Sequence, residues 1–121
     1  MERATRFEII ALLLFTVAIA TPATIITVTN TNDSGPGSLR QALADVNDRD
    51  TIEFAVTGTI GLTTGELLIN KSITISGPGS NMLAVSRTSN TGGIFHVMPS
   101  QTVRIQGLTI SGGYAGVGGG I

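Results

Sequence analysis

ITISG at residues 73–77 and LTISG at residues 108–112 are near copies of one short run, in which aliphatic side chains alternate with a hydroxyl and a glycine closes the segment. Alternation with a period of two is the pattern of a half-buried strand, since successive side chains point to opposite faces. A strand-and-turn unit that recurs along a chain is what a solenoid stacks, each coil covering the last. Working outward, similar runs occupy residues 59–62, 66–69, 72–76, 82–86, 94–98, 102–105 and 108–111. Glycines at 58, 61, 65, 77, 79, 92, 93, 107, 112 and 113 punctuate them, as turns between short strands require. Upstream, Ile52, Phe54 and Val56 alternate with Glu53 and Ala55. Ile52, Ile73 and Ile94 are evenly spaced, with a shorter step to Ile110. This spacing predicts coils of about 20 residues, within the range of solenoid repeats.

The fold expected is therefore all-β, a parallel β-helix. Parallel stacking lets backbone N–H and C=O groups pair with the coil above or below. Ile73, Ile75, Phe95, Val97, Val103, Ile105, Leu108 and Ile110 are expected to point inward. The alternative is a β-sandwich of several hairpins. It lacks the two-residue Asn-Gly or Asp-Gly turns that favour tight hairpins, neither of which occurs in the chain.

Before the β region, residues 24–29 (TIITVT) are a β-branched strand and residues 30–37 (NTNDSGPG) a dense turn cluster. A single amphipathic helix is expected over 38–47, with Leu39, Ala42, Leu43 and Val46 on its apolar face. Ser38 is placed as its N-cap and Gln41 as the reciprocal partner of a capping box. Arg40, Gln41, Asp45 and Asp48 are expected to face water. A solenoid leaves bare core at both ends, and this helix is the expected cover for the first.

The first residues have the layout of an export signal. Arg3 and Arg6 precede an uncharged apolar run at residues 9–20 (IIALLLFTVAIA), and Ala18-Ile19-Ala20 offers a cleavage site, with a second after Ala23. The run is short for a bilayer span, which needs about 20 apolar residues, and Thr21-Pro22 interrupts it. The expected organisation is a signal peptide over 1–23, then the cap and first coils of an incomplete β-helix domain over 24–121. Localisation follows as extracellular or cell-surface. The chain has no cysteine, so an exported form is held by packing and backbone hydrogen bonding rather than disulfides. A net charge of −1 argues against a nucleic-acid binder, which would show a basic face.

These residues resemble a family. Residues 26–47, ITVTNTNDSGPGSLRQALADVN, are similar to the leader of bacterial secreted right-handed parallel β-helix proteins, where a strand and an Asn/Asp/Gly turn precede an S-L-R-x-A helix. In the related CSLREA module a cysteine precedes the Ser-Leu-Arg; here that position is Gly37. Residues 51–79 resemble the first coils of such proteins, and the ending Gly118-Gly119-Gly120-Ile121 resembles the GG-x-I repeats of polymorphic outer membrane proteins. The resemblance implies an exported surface protein, often a long adhesin or autotransporter passenger, and some β-helix relatives are polysaccharide lyases or hydrolases.

Candidate chemistry is sparse. His96 is the only histidine and has no carboxylate near it in sequence. Asp45, Asp48 and Asp50 with Asn47 form an acidic cluster that could offer oxygen ligands to Ca²⁺, but it lacks an EF-hand loop and a solvated helix end explains it equally. Asn32-Asp33-Ser34 reads as turn chemistry. Glu53 and Glu66 are the only carboxylates on predicted strands, and a glycosidase needs two that face each other. The glycine-rich GGYAGVGGG at 112–120 follows no βαβ pattern and reads as a turn entering another coil. No catalytic, cofactor-binding or metal-ligating residue is assigned. Two functions stay open: a noncatalytic surface β-helix for adhesion or structure, or the N-terminal part of a carbohydrate-active enzyme with its site beyond Ile121. The partners expected are a carbohydrate or cell-surface ligand, no nucleic acid, and a second copy through the open solenoid end.

Overall fold

The structure, a computed structural model, describes residues 22–88, 92–113 and 120. The export signal expected over 1–23 lies outside the described residues apart from Pro22 and Ala23, and the glycine-rich ending is described only at 112, 113 and 120. No helix among the described residues is long and apolar enough to cross a membrane.

Strand β1 (Ile25–Val28) leads into helix α1 (Leu39–Asp45), and eight more strands follow. They are β2 (Thr51–Phe54), β3 (Gly58–Leu62), β4 (Leu67–Ile69), β5 (Thr74–Ser76), β6 (Leu83–Arg87), β7 (Phe95–Val97), β8 (Arg104–Gln106) and β9 (Thr109–Ser111). Every strand pairing is parallel. The strands sort into three sheets, in the orders β1-β2-β5-β8, β3-β6-β9 and β4-β7. Each circuit thus places one strand in each sheet, which is a parallel β-solenoid of three faces. The antiparallel sandwich is ruled out by the pairing.

Inward rows form where aliphatic residues come into register. Ile26, Ile52, Ile75 and Ile105 make one row, Ile60, Val85 and Ile110 a second, Leu67 and Phe95 a third. Ile52, Ile60, Ile75, Val85, Leu67 and Phe95 are buried, and the eight residues expected inward all belong to the core or pack against it. The coil spacing corrects the sequence reading. Ile52 lies beside Ile75 rather than Ile73, and Ile75 lies beside Ile105. Ile94 is buried, but it sits before β7 in the third sheet, where its carbonyl accepts the Leu67 amide. The near-repeat does not stack either. ITISG belongs to the first sheet and LTISG to the second, with Thr109 beside Ala84.

The element that does repeat in space is a glycine after the first-sheet strand. Gly77 follows β5 and Gly107 follows β8, and a Cβ on either would collide with the other's carbonyl. Gly107 also has φ +72°, a conformation that side-chain-bearing residues rarely adopt.

Helix α1 begins where the sequence placed it: the Ser38 hydroxyl accepts the Gln41 amide at 3.1 Å. The reciprocal arm of the box is absent, because Gln41 Nε2 donates to Asp45 instead. The helix stops at Asp45, two residues short of the expected end, with Val46 in extended conformation. Leu39, Ala42, Leu43 and Val46 are buried in the same core as the strands, and α1 packs against β1 and β4.

Candidate functional site

The third corner of the solenoid, between the second and third sheets, gathers Asp33, Arg40, Glu66, Arg87 and His96. Its first-coil part is residues 63–66, and its second-coil part is the segment around Gly93. From the leader turn, Asp33 accepts the Thr64 hydroxyl at 2.7 Å and an Arg40 N–H at 3.0 Å. Arg40, one residue into α1, also donates to the carbonyls of Asp33, Gly65 and Glu66. It therefore does not simply face water, as its helical position suggested; it ties leader turn, helix and first coil together. Burial alone would raise the Asp33 carboxyl, but the Thr64 hydroxyl and the Arg40 guanidinium outweigh it and hold the group below its ordinary value.

One coil on, Arg87 occupies an inward register position beside Leu62 and is buried. A buried guanidinium must be bonded, and Nε donates to the Gly93 carbonyl while Nη1 donates to that of Thr64. Arg87 thus joins the corners of successive coils. Glu66 does so from the other side: Oε2 accepts the Gly93 amide at 2.9 Å, and Oε1 lies 3.1 Å from His96 Nδ1. The Gly93 N–H, then His96, pull the Glu66 carboxyl below its ordinary value.

The Glu66–His96 pair is the arrangement that sequence proximity concealed. The two residues are 30 apart in the chain and meet because β4 and β7 are neighbours, with Leu68 beside His96. His96 points outward, its side chain 54% exposed and that of Glu66 39%. A carboxylate on Nδ1 orients the ring, a feature of both general bases and metal-binding histidines. Next to it, a groove of about 390 Å³ runs between α1 and the third sheet, lined by Arg40, Leu43, Glu66, Leu68 and Lys71 among others.

The other candidates are dispersed. Glu53 is on the outer face of the first sheet and Glu66 at the far corner, so the two carboxylates lie on different sides of the solenoid. The acidic cluster separates into three independent acceptors. Asp45 takes the Gln41 amide group, Asp48 takes the Ser72 N–H, and buried Asp50 takes the N–H groups of Asn47 and Thr24. Those backbone donors, Asn47 first, lower the Asp50 carboxyl. Its work is to close the turn before β2 and to hold the start of β1. Among the described residues no group of three or more acidic, histidine or cysteine side chains is placed to share a metal ion.

Arg87 did not stand out in the sequence and Asp33 read only as turn chemistry, because their roles depend on backbone carbonyls and hydroxyls of other coils. No family model, curated protein or solved structure matches this chain.

Proposed function

We propose that this chain forms the first coils of an exported, noncatalytic β-helix protein with an adhesive or structural role at the cell surface. The observation that carries the reading is where the charges go. Asp33, Arg40, Asp48, Asp50, Glu66 and Arg87 all bond to backbone or hydroxyl groups of a neighbouring coil or the leader. These groups hold coils in register rather than converge on a shared point where a substrate would react. The outward rows support it further. In the second sheet they are Thr59, Ala84 and Thr109, then Gly61, Ser86 and Ser111, a smooth face of small side chains.

In this reading α1 covers the first-coil end, as its apolar face on β1 and β4 allows, and the coils wind right-handed, as parallel crossovers do almost without exception. The resemblance of residues 26–47 to the leaders of secreted β-helix proteins and the signal-like residues 1–23 support export. The ligand class proposed is carbohydrate or another cell-surface molecule. The second reading, a carbohydrate-active enzyme, is favoured by one observation, the exposed Glu66–His96 pair beside a groove.

A screen of the purified chain against pectins, alginate and other polysaccharides, reading binding and turnover together, tests the choice. Binding without turnover is expected. Turnover that disappears in His96→Ala or Glu66→Gln would replace the structural reading with the enzymatic one.

A further inference from the structure

The groove between α1 and the third sheet carries chemistry that the coil-to-coil bonds do not use. Along residues 66–70, Glu66, Leu68 and Asn70 are exposed while Leu67 and Ile69 are buried, so the first three share the outer face by alternation. At about 3.3 Å per residue they span about 13 Å. Leu43 of α1 and Leu68 give the groove apolar walls. Leu68 is 50% exposed, and His96 is its neighbour on the next coil. The volume, about 390 Å³, falls in the range of ligand pockets, about 300–1,000 Å³.

The polar groups of the groove differ in what they already hold. Arg40 donates to Asp33 and to the carbonyls of Gly65 and Glu66, so its guanidinium is engaged by the leader and the first coil. Glu66, at one end, accepts the Gly93 amide and stays ionised. At the other end, the side chains of Asn70 and Lys71 have no hydrogen bond or ion pair among the described residues. The groove thus has an apolar centre, an anion at one end, and an amide and an ammonium at the other. A pyranose ring matches that centre: its face presents C–H groups, and its rim presents hydroxyls that an amide can both donate to and accept from. The ends set the charge pattern, since a ligand carboxylate is attracted beside Lys71 and repelled beside Glu66.

We propose that this groove binds an acidic oligosaccharide in which uronate and neutral sugars alternate, with a neutral ring over Leu68 toward Glu66 and a uronate carboxylate at Lys71. Asn70, between Leu68 and Lys71, bonds the hydroxyls of both rings, and His96 borders the neutral one. A run of uronates fits less well, because one carboxylate then faces Glu66. A wholly neutral glycan leaves the Lys71 ammonium unpaired. Every residue invoked lies in α1 or the first two coils, and none of the site is built from the last coil. The inference rests on the surface-protein reading and names the class of glycan for it.

Calorimetric titration of the purified chain tests it, with a hyaluronan hexasaccharide as the alternating probe, its methyl ester, a galacturonate hexamer and neutral cellohexaose. The hyaluronan probe is expected to bind most tightly. Its ester, which lacks the charge, should bind about fivefold more weakly, the size of one exposed ion pair. Lys71→Gln should bring acid and ester to the same affinity, and Leu68→Asn should weaken both. Glu53→Gln, on the outer face of the first sheet, should change neither. The ester comparison uses the parent chain and needs no variant to fold. Equal affinity for acid and ester in the parent, or a Leu68→Asn protein that binds as the parent does, would overturn the proposal. Failure of the hyaluronan probe while another polysaccharide binds would overturn this site and leave the surface-protein reading standing; binding of no glycan at all would remove both the site and the carbohydrate ligand.

Discussion

Truncating Leu43 to alanine measures how much of the solenoid's stability comes through its one helix. Leu43 is 5% exposed and belongs to the same buried cluster as Ile52, Leu67 and Ile69. The substitution removes about three carbons; at about 0.8 kcal/mol per buried methylene the transfer loss alone is about 2.4 kcal/mol. α1 packs on β1 and β4, whose backbones are fixed by ladders to the next coil, so collapse into the gap is restricted. The cavity term then brings the loss to about 3–4 kcal/mol, inside the usual range of about 2–5 kcal/mol for a core leucine. For a domain of this size, 1 kcal/mol corresponds to about 4–8 °C in Tm. Thermal unfolding followed by circular dichroism should therefore show a fall of at least about 10 °C, while Gln41→Ala on the exposed side of α1 should shift Tm by no more than a few degrees. A Leu43→Ala protein melting within about 2 °C of the parent would refute the claim that the helix shares the core.

Three further outcomes follow from the same packing. Gly107→Ala places a methyl against the Gly77 carbonyl at a residue with φ +72°, and a loss of about 1–3 kcal/mol is expected in denaturant titration, with no comparable effect of alanine at Gly61, where the space is open. Arg87→Met deprives the Thr64 and Gly93 carbonyls of charged donors, worth about 1.5–3 kcal/mol each, and should speed amide exchange at the third corner before the first sheet is affected. Asp50 and Glu66 have carboxyls lowered by the fold, so their contribution is complete above their unfolded values and is lost as pH falls through the lower folded ones. Stability should drop below about pH 4, and Asp50→Asn should flatten that part of the pH profile; an unchanged profile would show that the carboxylate is not what holds Thr24 and Asn47.

The strands were legible because alternation survives even in runs of three to five residues: segments 59–62, 66–69, 72–76 and 82–86 each contain the observed strand or miss it by one residue. Ser38 and the spacing of Leu39, Ala42, Leu43 and Val46 announced the helix equally well. Register was not legible. ITISG and LTISG look like successive copies because any inward-outward-inward strand ending in glycine looks alike, and composition does not say which sheet a strand joins. The loops between strands differ in length from coil to coil, so even spacing of isoleucines misplaced Ile73 and Ile94. The third corner was hidden for a related reason. Glu66 and His96, or Arg87 and Thr64, become neighbours only once the register is set, and half of the contacts are to backbone carbonyls that carry no sequence signature.

Register is accordingly the claim on which the inward rows and the corner network both depend. The chain contains no cysteine, so introduced pairs report on it without background. Ser76 and Gln106 lie directly opposite on the outer face of the first sheet, whereas Ser76 and Ser111 would be opposite if the two TISG runs were stacked. Directly opposed positions on adjacent strands lie within reach of a disulfide, and positions in different sheets do not. Under mild oxidation, Ser76→Cys with Gln106→Cys should close an intramolecular disulfide, detected as a loss of free thiols in the monomer, while Ser76→Cys with Ser111→Cys should stay reduced. Rapid closure of the second pair and not the first would contradict the three-sheet register.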